Sequence, residues 1–185
     1  MNEWDRQDNE SCDIGLLTIY TASYDGDLDD LICPFGIFNI ANEINCLRDH
    51  LDDMHDRYSE DELLGSDLIG LNSNSFKKDR EKHHLFLEWD RKQWIPEMDW
   101  LMGLNGMVVE TDGGFHYLEE ADLDLGKLVD IMGANHCCEG YTGCTEKTGH
   151  ACLRVSPKGE NRLRIVKDAE GFLYGVYKEL VEGLA

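Results

Sequence analysis

The sequence predicts one α+β domain in which a β-sheet is flanked by helices. The chain has 185 residues, which is enough for one domain with a sizeable core. Strand-like and helix-like hydrophobic patterns follow one another in the order βαββα and then ββα, which is typical of α+β or α/β sheets. No apolar run approaches the roughly 20 residues that span a bilayer, so we expect no membrane partner.

The N-terminal elements are predicted from their hydrophobic patterns. A dense apolar run predicts a buried strand over 13–24, and the aspartate-rich stretch 25–30 predicts a loop. The polar stretch 65–78, rich in Gly, Asn and Ser, predicts another loop. The clearest helix is 39–58, where apolar residues recur at three- and four-residue steps, namely Ile40, Ile44, Leu47, Leu51 and Met54.

Predicted strands and helices follow one another more closely after residue 83. Paired glycines predict a tight turn at 111–114 between two short strands, because glycine accepts positive φ angles. Pro96 suits the first turn of a helix that ends near Gly103 and Gly106. We expect strands at 85–90, 107–110, 115–118, 151–156 and 162–166 and helices at 94–104, 123–132 and 171–184. The last two strands are expected to form a hairpin through a turn at 157–160, and 135–149 has no periodicity.

The chain is strongly acidic, with a net charge of -21. Plain solubility, halophilic adaptation and mimicry of a nucleic-acid surface all account for such a charge. Two stretches are instead rich in basic residues. The smaller contains Lys77, Lys78, Arg80 and Lys82, and the larger contains Arg154, Lys158, Arg162, Arg164 and Lys167. The polar start of the chain and its odd number of cysteines lead us to expect a cytoplasmic protein of a cell or an infected host.

Glu88 and Asp90 form the first candidate site. They are separated by one residue on a predicted strand, so both carboxylates lie on one face. Two adjacent carboxylates repel each other, and Mg²⁺ or Mn²⁺ bound between them and substrate phosphates resolves the conflict. The alternative is a solvent-facing edge strand with Phe86 turned inward.

Two further segments suit phosphate binding. In the segment from Thr111 to His116, Gly113 and Gly114 allow close approach to the backbone, and the histidine suits donation to a phosphate oxygen. An ordinary hairpin is the alternative. In the second segment, Arg154 and Ser156 share a strand face and Lys158 follows them. Its alternative is a surface hairpin that balances an acidic protein.

Taken in order, Glu88-Trp-Asp90, Thr111 to His116 and Leu153 to Asn161 resemble the catalytic core of archaeo-eukaryotic primases and primase-polymerases. That family carries an acidic-x-acidic motif, a Gly-Gly-x-His-like hairpin, a third acid and, in viral and plasmid members, a basic Leu-Arg stretch. The resemblance implies a primase-like or RRM-like mixed sheet over roughly 83–166. For a third acid the sequence offers only Glu139, Glu146 or Asp130.

The resemblance also implies roles. Glu88 and Asp90 would bind the catalytic metal, His116 would contact the nucleotide's phosphates, and Arg154 and Lys158 would lie near the triphosphate or template. The partners would be a nucleoside triphosphate and nucleic acid, as in DNA replication. The predicted organisation is an acidic N-terminal part, 1–82, and a primase-like core, 83–185, with a Cys/His-rich insertion at 135–152.

The Cys/His-rich insertion suggests structural Zn²⁺. Tetrahedral zinc needs four N or S ligands, and a plausible set is Cys138, Cys144 and His150 with His136 or Cys137. Reduced free thiols are the alternative.

Three functions therefore compete on the sequence alone. They are a metal-dependent nucleotidyltransferase, a non-catalytic acidic interaction protein (of viral type) with a basic protein partner, and a zinc-stabilised binding module.

Overall fold

The computed structural model describes residues 14–22, 28–36, 40–57, 68–90, 103–157 and 162–185. These residues form one α+β domain with two four-stranded antiparallel sheets and four helices, which confirms the predicted fold class. No helix in these ranges is both long enough and apolar enough to cross a membrane.

The first sheet joins the N-terminal strands to one distant strand. It contains β1 (Ile14–Ala22), β2 (Leu28–Gly36), β3 (Leu68–Asn72) and β7 (Cys152–Arg154) in the spatial order β2-β1-β3-β7. The pairing of β3 with β7 brings Gly70 opposite Arg154. A side chain at Gly70 would place its Cβ 2.3 Å from the Cys152 sulfur, so glycine permits the close approach of β7.

The second sheet carries most of the predicted site. It contains β4 (Lys82–Trp89), β5 (Met107–Glu110), β6 (Phe115–Asp124) and β8 (Arg164–Lys167) in the order β4-β6-β5-β8. Every pairing between described strands is antiparallel, whereas a mixed sheet was expected. Tight connections such as the turn between β5 and β6 join antiparallel neighbours, because a parallel pair needs a long crossover.

Four helices cover the sheets, and the C-terminal one is the most deeply packed. They are α1 (Ile40–Arg57), α2 (Leu125–Ala134), α3 (Glu139–Thr148) and α4 (Phe172–Gly183). The apolar stripe of α4 is buried over Leu173, Tyr174, Val176, Tyr177, Leu180 and Val181. The helices predicted at 39–58, 123–132 and 171–184 are confirmed, as is the hairpin around the 111–114 turn. The helix predicted at 94–104 lies mostly outside the described residues.

Three predictions for local structure are wrong. Residues 28–30 belong to β2, and residues 68–72 form β3 within a stretch that was expected to be loop. Residues 139–148 form α3, although the sequence shows no helical periodicity there. This helix buries Thr145 and carries small polar residues elsewhere, so it lacks an apolar stripe that would reveal it.

The predicted hairpin between 151–156 and 162–166 is also wrong. β7 pairs with β3 in the first sheet, whereas β8 pairs with β5 in the second. Leu153 and Val155 are fully buried, while β8 alternates exposed and half-buried residues, so the two strands suit different positions in the fold. The basic residues of the two strands therefore lie on different sheets, and Arg154 and Arg164 pair with different carboxylates, Asp112 and Glu110.

A buried polar network lies where the first sheet adjoins β4. The Thr18 hydroxyl donates to Asn72 Oδ1 at 2.7 Å and lies 3.4 Å from Nε2 of His150. The Ser73 hydroxyl lies 3.0 Å from Nδ1 of His83 on β4. Buried polar groups that bond to each other in this way fix one relative placement of the strands.

Ser156 holds the end of β7 against β3. Its hydroxyl accepts a hydrogen bond from the backbone N–H of Ile69 at 2.9 Å, and the Ile69 carbonyl accepts from Val155 at 2.8 Å. Ser156 is fully buried. The hydroxyl that the sequence suggested for phosphate binding is therefore engaged with the backbone.

We predict that Ser156→Ala destabilises the protein by about 1–3 kcal/mol, because the buried N–H of Ile69 loses its acceptor. Chemical denaturation of wild type and variant measures this difference. A variant of unchanged stability that binds triphosphate more weakly would contradict a structural role and restore the phosphate-binding one.

Candidate functional site

Glu88 and His116 are direct neighbours across two strands. The pairing of β4 with β6 places Glu88 opposite His116 and Trp89 opposite Phe115. Residues that face each other in an antiparallel pair project their side chains to the same side of the sheet. The carboxylate motif and the glycine-turn histidine, which are 28 positions apart by number, thus meet at one place.

Arg154 reaches the same place from the other sheet. Its guanidinium forms an ion pair with Asp112 in the 111–114 turn, with 2.6 Å between Nη2 and Oδ1. The charge of Arg154 acts on both Glu88 and His116, where it favours the charged carboxylate and the neutral imidazole. Both sheets therefore contribute residues to a single charged cluster.

His116 is held as a neutral imidazole. It is 4% exposed, and this burial, followed by the nearby charge of Arg154, lowers its pKa to about 3. Its Nδ1 lies 3.3 Å from the hydroxyl of Tyr177, which itself donates to the Arg154 carbonyl at 2.7 Å. The single proton of the hydroxyl is used by that carbonyl, so we assign the ring proton of His116 to Nδ1. Nε2 then carries a lone pair.

Glu88 lies in an unfavourable environment for a carboxylate. Burial, and after it the negative charge of Asp90, raises the pKa of Glu88 to about 7, while Arg154 opposes the shift. A rise of this size corresponds to roughly 3 kcal/mol of destabilisation of the charged form. Perturbed acids of this kind cluster at functional sites, because a stable fold does not otherwise retain them.

Asp90 lies against the glycine turn. It is exposed at the end of β4, and a Cβ on Gly113 would come within 2.8 Å of its Oδ1. The Thr111 hydroxyl accepts hydrogen bonds from the N–H groups of Gly113 and Gly114, at 3.2 and 2.9 Å. These glycines therefore bring the turn close to the carboxylate, and their amides are bonded within the turn.

The structure brings together five of the predicted features and places Ser156 elsewhere. Ser156 belongs to the β3–β7 joint, and Lys158 lies outside the described residues. The features that meet are Glu88, Asp90, the Thr111–Gly114 turn, His116 and Arg154.

Two members of the cluster were not recognised as functional in the sequence. Tyr177 lies in the apolar stripe of α4, where an aromatic residue is typical of a core position. Asp112 lies within the quoted turn, but its partner Arg154 is distant in the chain. Only the tertiary pairing reveals either role.

A cavity of about 690 Å³ adjoins Asp90. It lies between the end of β4, the corner between α2 and α3, and one face of α3, and it is lined mainly by Trp89, Asp90, His136, Cys138, Glu139 and Glu146. Two hydrogen bonds tie this corner to β4. The Trp89 indole donates to the Asn135 carbonyl at 2.8 Å, and the Cys138 N–H donates to the Glu88 carbonyl at 3.1 Å.

The proposed zinc ligands occupy different surroundings. His136 and Cys138 line the cavity, Cys144 lies within α3, and His150 is buried beside Thr18. Within the part of the chain that the structure describes, no three His, Cys, Asp or Glu side chains lie close enough together to hold a metal ion. Zinc stays a prediction, which metal analysis of protein purified without added zinc tests.

Comparison with known proteins gives no relative for this chain: no family model, no curated protein and no solved structure matches it.

We predict that Glu88→Gln stabilises the protein at and above pH 7, by up to about 3 kcal/mol. The folded state keeps the Glu88 proton up to pH about 7, whereas the unfolded chain releases it near pH 4.5. Wild-type stability therefore falls as pH rises through this window, and the gap between variant and wild type widens with it. Denaturation curves from pH 4 to 8 measure the gap.

The matched control is Glu179→Gln, which removes one negative charge from the exposed surface of α4. A gap that is equally large in the control, or that does not change with pH, would show that Glu88 is not a strained buried acid.

Proposed function

We propose that the cluster binds the phosphates of a nucleoside triphosphate together with Mg²⁺ or Mn²⁺, and that the protein is a nucleotidyltransferase resembling a primase-polymerase core that works on a nucleic-acid template. The proposal rests on the convergence of three chain segments at one place in the fold. Three segments that the sequence singled out separately, around Glu88, His116 and Arg154, form one partly buried cluster, in which His116 is buried and the two charged residues are half-buried. Convergent polar groups with perturbed pKa values beside a cavity are typical of a ligand site.

The residues present fit a hard divalent cation. Glu88 and Asp90 offer carboxylate oxygens, and the raised pKa of Glu88 marks an anion pair that a cation would stabilise. Mg²⁺ is commonly held by one or two carboxylates, with phosphates and water as its remaining ligands. Such a cation would neutralise charge on the phosphate oxygens.

Arg154 supplies the positive charge that the protein itself contributes. Its side chain is 12% exposed, so it is largely shielded while its guanidinium still reaches the site. Partial burial strengthens its attraction for an anion, and a planar guanidinium pairs well with phosphate. Tyr177 fixes the backbone of Arg154 through its hydroxyl.

His116 acts in this proposal as a positioning residue. It is neutral, and its Nδ1–H donates to Tyr177, which in turn holds the strand that carries Arg154. The sequence suggested that His116 donates to a phosphate. A neutral ring with its proton on Nδ1 presents an acceptor at Nε2, so we propose support of Arg154 as its main role.

The cavity beside Asp90 offers room for the parts of a substrate other than phosphate. Asp90 belongs to both the cluster and the lining of the cavity, so we propose that a ligand held by the cluster extends past Asp90 into the cavity. A volume of about 690 Å³ lies in the range of small-molecule sites.

The net charge of -21 favours a second candidate, a non-catalytic acidic protein that binds a basic partner. Under this alternative Asp112 and Arg154 are simply a surface ion pair, and the protein binds no triphosphate. Direct binding measurements separate the two candidates.

We predict that Asp90→Asn weakens Mn²⁺-dependent binding of a nucleoside triphosphate by more than about tenfold and abolishes template extension. Loss of even an indirect partner of a metal ligand costs about 10- to 100-fold in metal affinity. Titration of a fluorescent triphosphate with and without Mn²⁺ measures the effect. The control is Asp168→Asn, which alters an exposed aspartate paired with Lys178 on α4.

Two outcomes would count against the proposal. An Asp90→Asn protein as active as wild type would remove the metal assignment. Wild-type protein that binds no triphosphate with either metal would contradict the proposed function and leave the acidic binding protein as the better candidate.

We predict that Tyr177→Phe lowers triphosphate affinity about three- to tenfold, because Arg154 loses a backbone hydrogen bond while the metal ligands remain. The matched control is Tyr174→Phe, which removes a hydroxyl on the same helix that accepts from the Glu120 N–H. Equal losses of affinity in both variants would reduce Tyr177 to a general packing residue. Thermal unfolding of each variant corrects for stability.

A further inference from the structure

The ion pair between Asp112 and Arg154 occupies the place where an anionic ligand would bind. The guanidinium and the carboxylate are 2.6 Å apart, and their side chains are 12% and 27% exposed. Arg154 also acts electrostatically on Glu88 and His116. Asp112 is therefore paired with the same guanidinium that faces the cluster.

We propose that Asp112 is an internal competing anion that lowers the affinity of Arg154 for every anionic ligand. This inference rests on the proposed function and deepens it. Asp112 keeps Arg154 neutralised when no ligand is bound, and a ligand must displace its carboxylate to reach the guanidinium. A weakly bound anion such as a monophosphate is thereby kept out at concentrations at which a tightly bound di- or triphosphate still occupies the site.

The turn that carries Asp112 presents this carboxylate in a fixed position. The Thr111 N–H donates to the Gly114 carbonyl at 2.9 Å, and the Thr111 hydroxyl accepts from Gly113 and Gly114. Asp112 lies at the exposed part of the turn, so its side chain rotates away without loss of these bonds. Displacement from Arg154 therefore leaves the hydrogen bonds of the turn intact.

The backbone of Arg154, by contrast, is held in place by hydrogen bonds. Its strand pairs with β3, and its carbonyl accepts from Tyr177, which is fully buried. A fixed cation with a displaceable anion is an ion-exchange site. A polyphosphate exceeds a single carboxylate in charge and in the number of oxygens that it offers to the guanidinium, whereas a monophosphate barely does.

The expected size of the effect follows from the population of the paired state. If Arg154 is paired with Asp112 about 90% of the time, the apparent affinity of an anion for it falls about tenfold. Removing the carboxylate restores that factor, and it does so equally for every anion, because the unpaired fraction of Arg154 does not depend on the ligand.

The test compares wild type, Asp112→Asn and Glu110→Gln. The last variant is a matched control, since Glu110 pairs with Arg164 on the neighbouring strand and its loss changes the net charge equally. Isothermal titration with inorganic phosphate and inorganic triphosphate, both without metal, and with a nucleoside triphosphate and Mn²⁺ gives the affinities. Thermal unfolding checks that each variant is folded.

We expect Asp112→Asn to bind inorganic triphosphate and inorganic phosphate each about 5- to 10-fold more tightly, with the ratio of the two affinities unchanged. Glu110→Gln should stay within about twofold of wild type. Wild type that binds the nucleotide with Mn²⁺ while Asp112→Asn binds no anion more tightly would overturn the inference and leave the proposed function intact.

Two other outcomes also overturn it. Weaker Mn²⁺-dependent binding by Asp112→Asn would make Asp112 a contributor to the metal site instead of a competitor. Absence of any anion or nucleotide binding by all three proteins would reject the proposed function together with this inference.

Discussion

Burial of the Glu88 carboxyl group beside a second carboxylate is the constraint around which the cluster is arranged. An isolated buried anion is costly, and a hydrophobic residue at this position on β4 would be more stable. The surrounding elements moderate the cost. Arg154 provides an opposing charge, His116 stays neutral, and Tyr177 fixes their geometry from α4. Retaining such a carboxyl group at the expense of stability is typical of a site kept for chemistry.

The cluster depends on how the two sheets are joined. Glu88 and His116 come from the second sheet, Arg154 comes from the first, and α4 packs its tyrosine between them. The serine bond at Ile69 and the network around Thr18 fix β7 and β4 in their positions. The site therefore depends on the tertiary fold, since its charged groups come from three separate segments, around Glu88, Asp112 and Arg154.

The hydrophobic pattern of the sequence predicted those elements that depend mainly on their own residues. The helices α1 and α4 and the hairpin at the 111–114 turn are confirmed because local periodicity and a pair of glycines predict them directly, although neither Gly113 nor Gly114 has the positive φ angle that was expected. β3 was missed because it is short and contains Gly70, and α3 because Gly140, Thr142 and Gly143 interrupt any stripe. The false hairpin arose because alternation identifies a strand without identifying its partner. The same limit applies to the site. Residue types revealed Glu88 and His116, whereas the bond from Tyr177 and the pair formed by Asp112 depend on distant contacts.

The corner between α2 and α3 is hydrogen-bonded to the strand that carries Glu88, through the Cys138 N–H and the Trp89 indole. The cavity at that corner and the charged cluster thus share one stretch of backbone. Suppose that an occupant of the cavity shifts the corner and so changes the affinity of the cluster for its ligand. Thermodynamic linkage then requires that the ligand of the cluster change the affinity of the cavity for its occupant by the same factor. A ligand that moved this shared backbone from either side would therefore change the affinity of the other side.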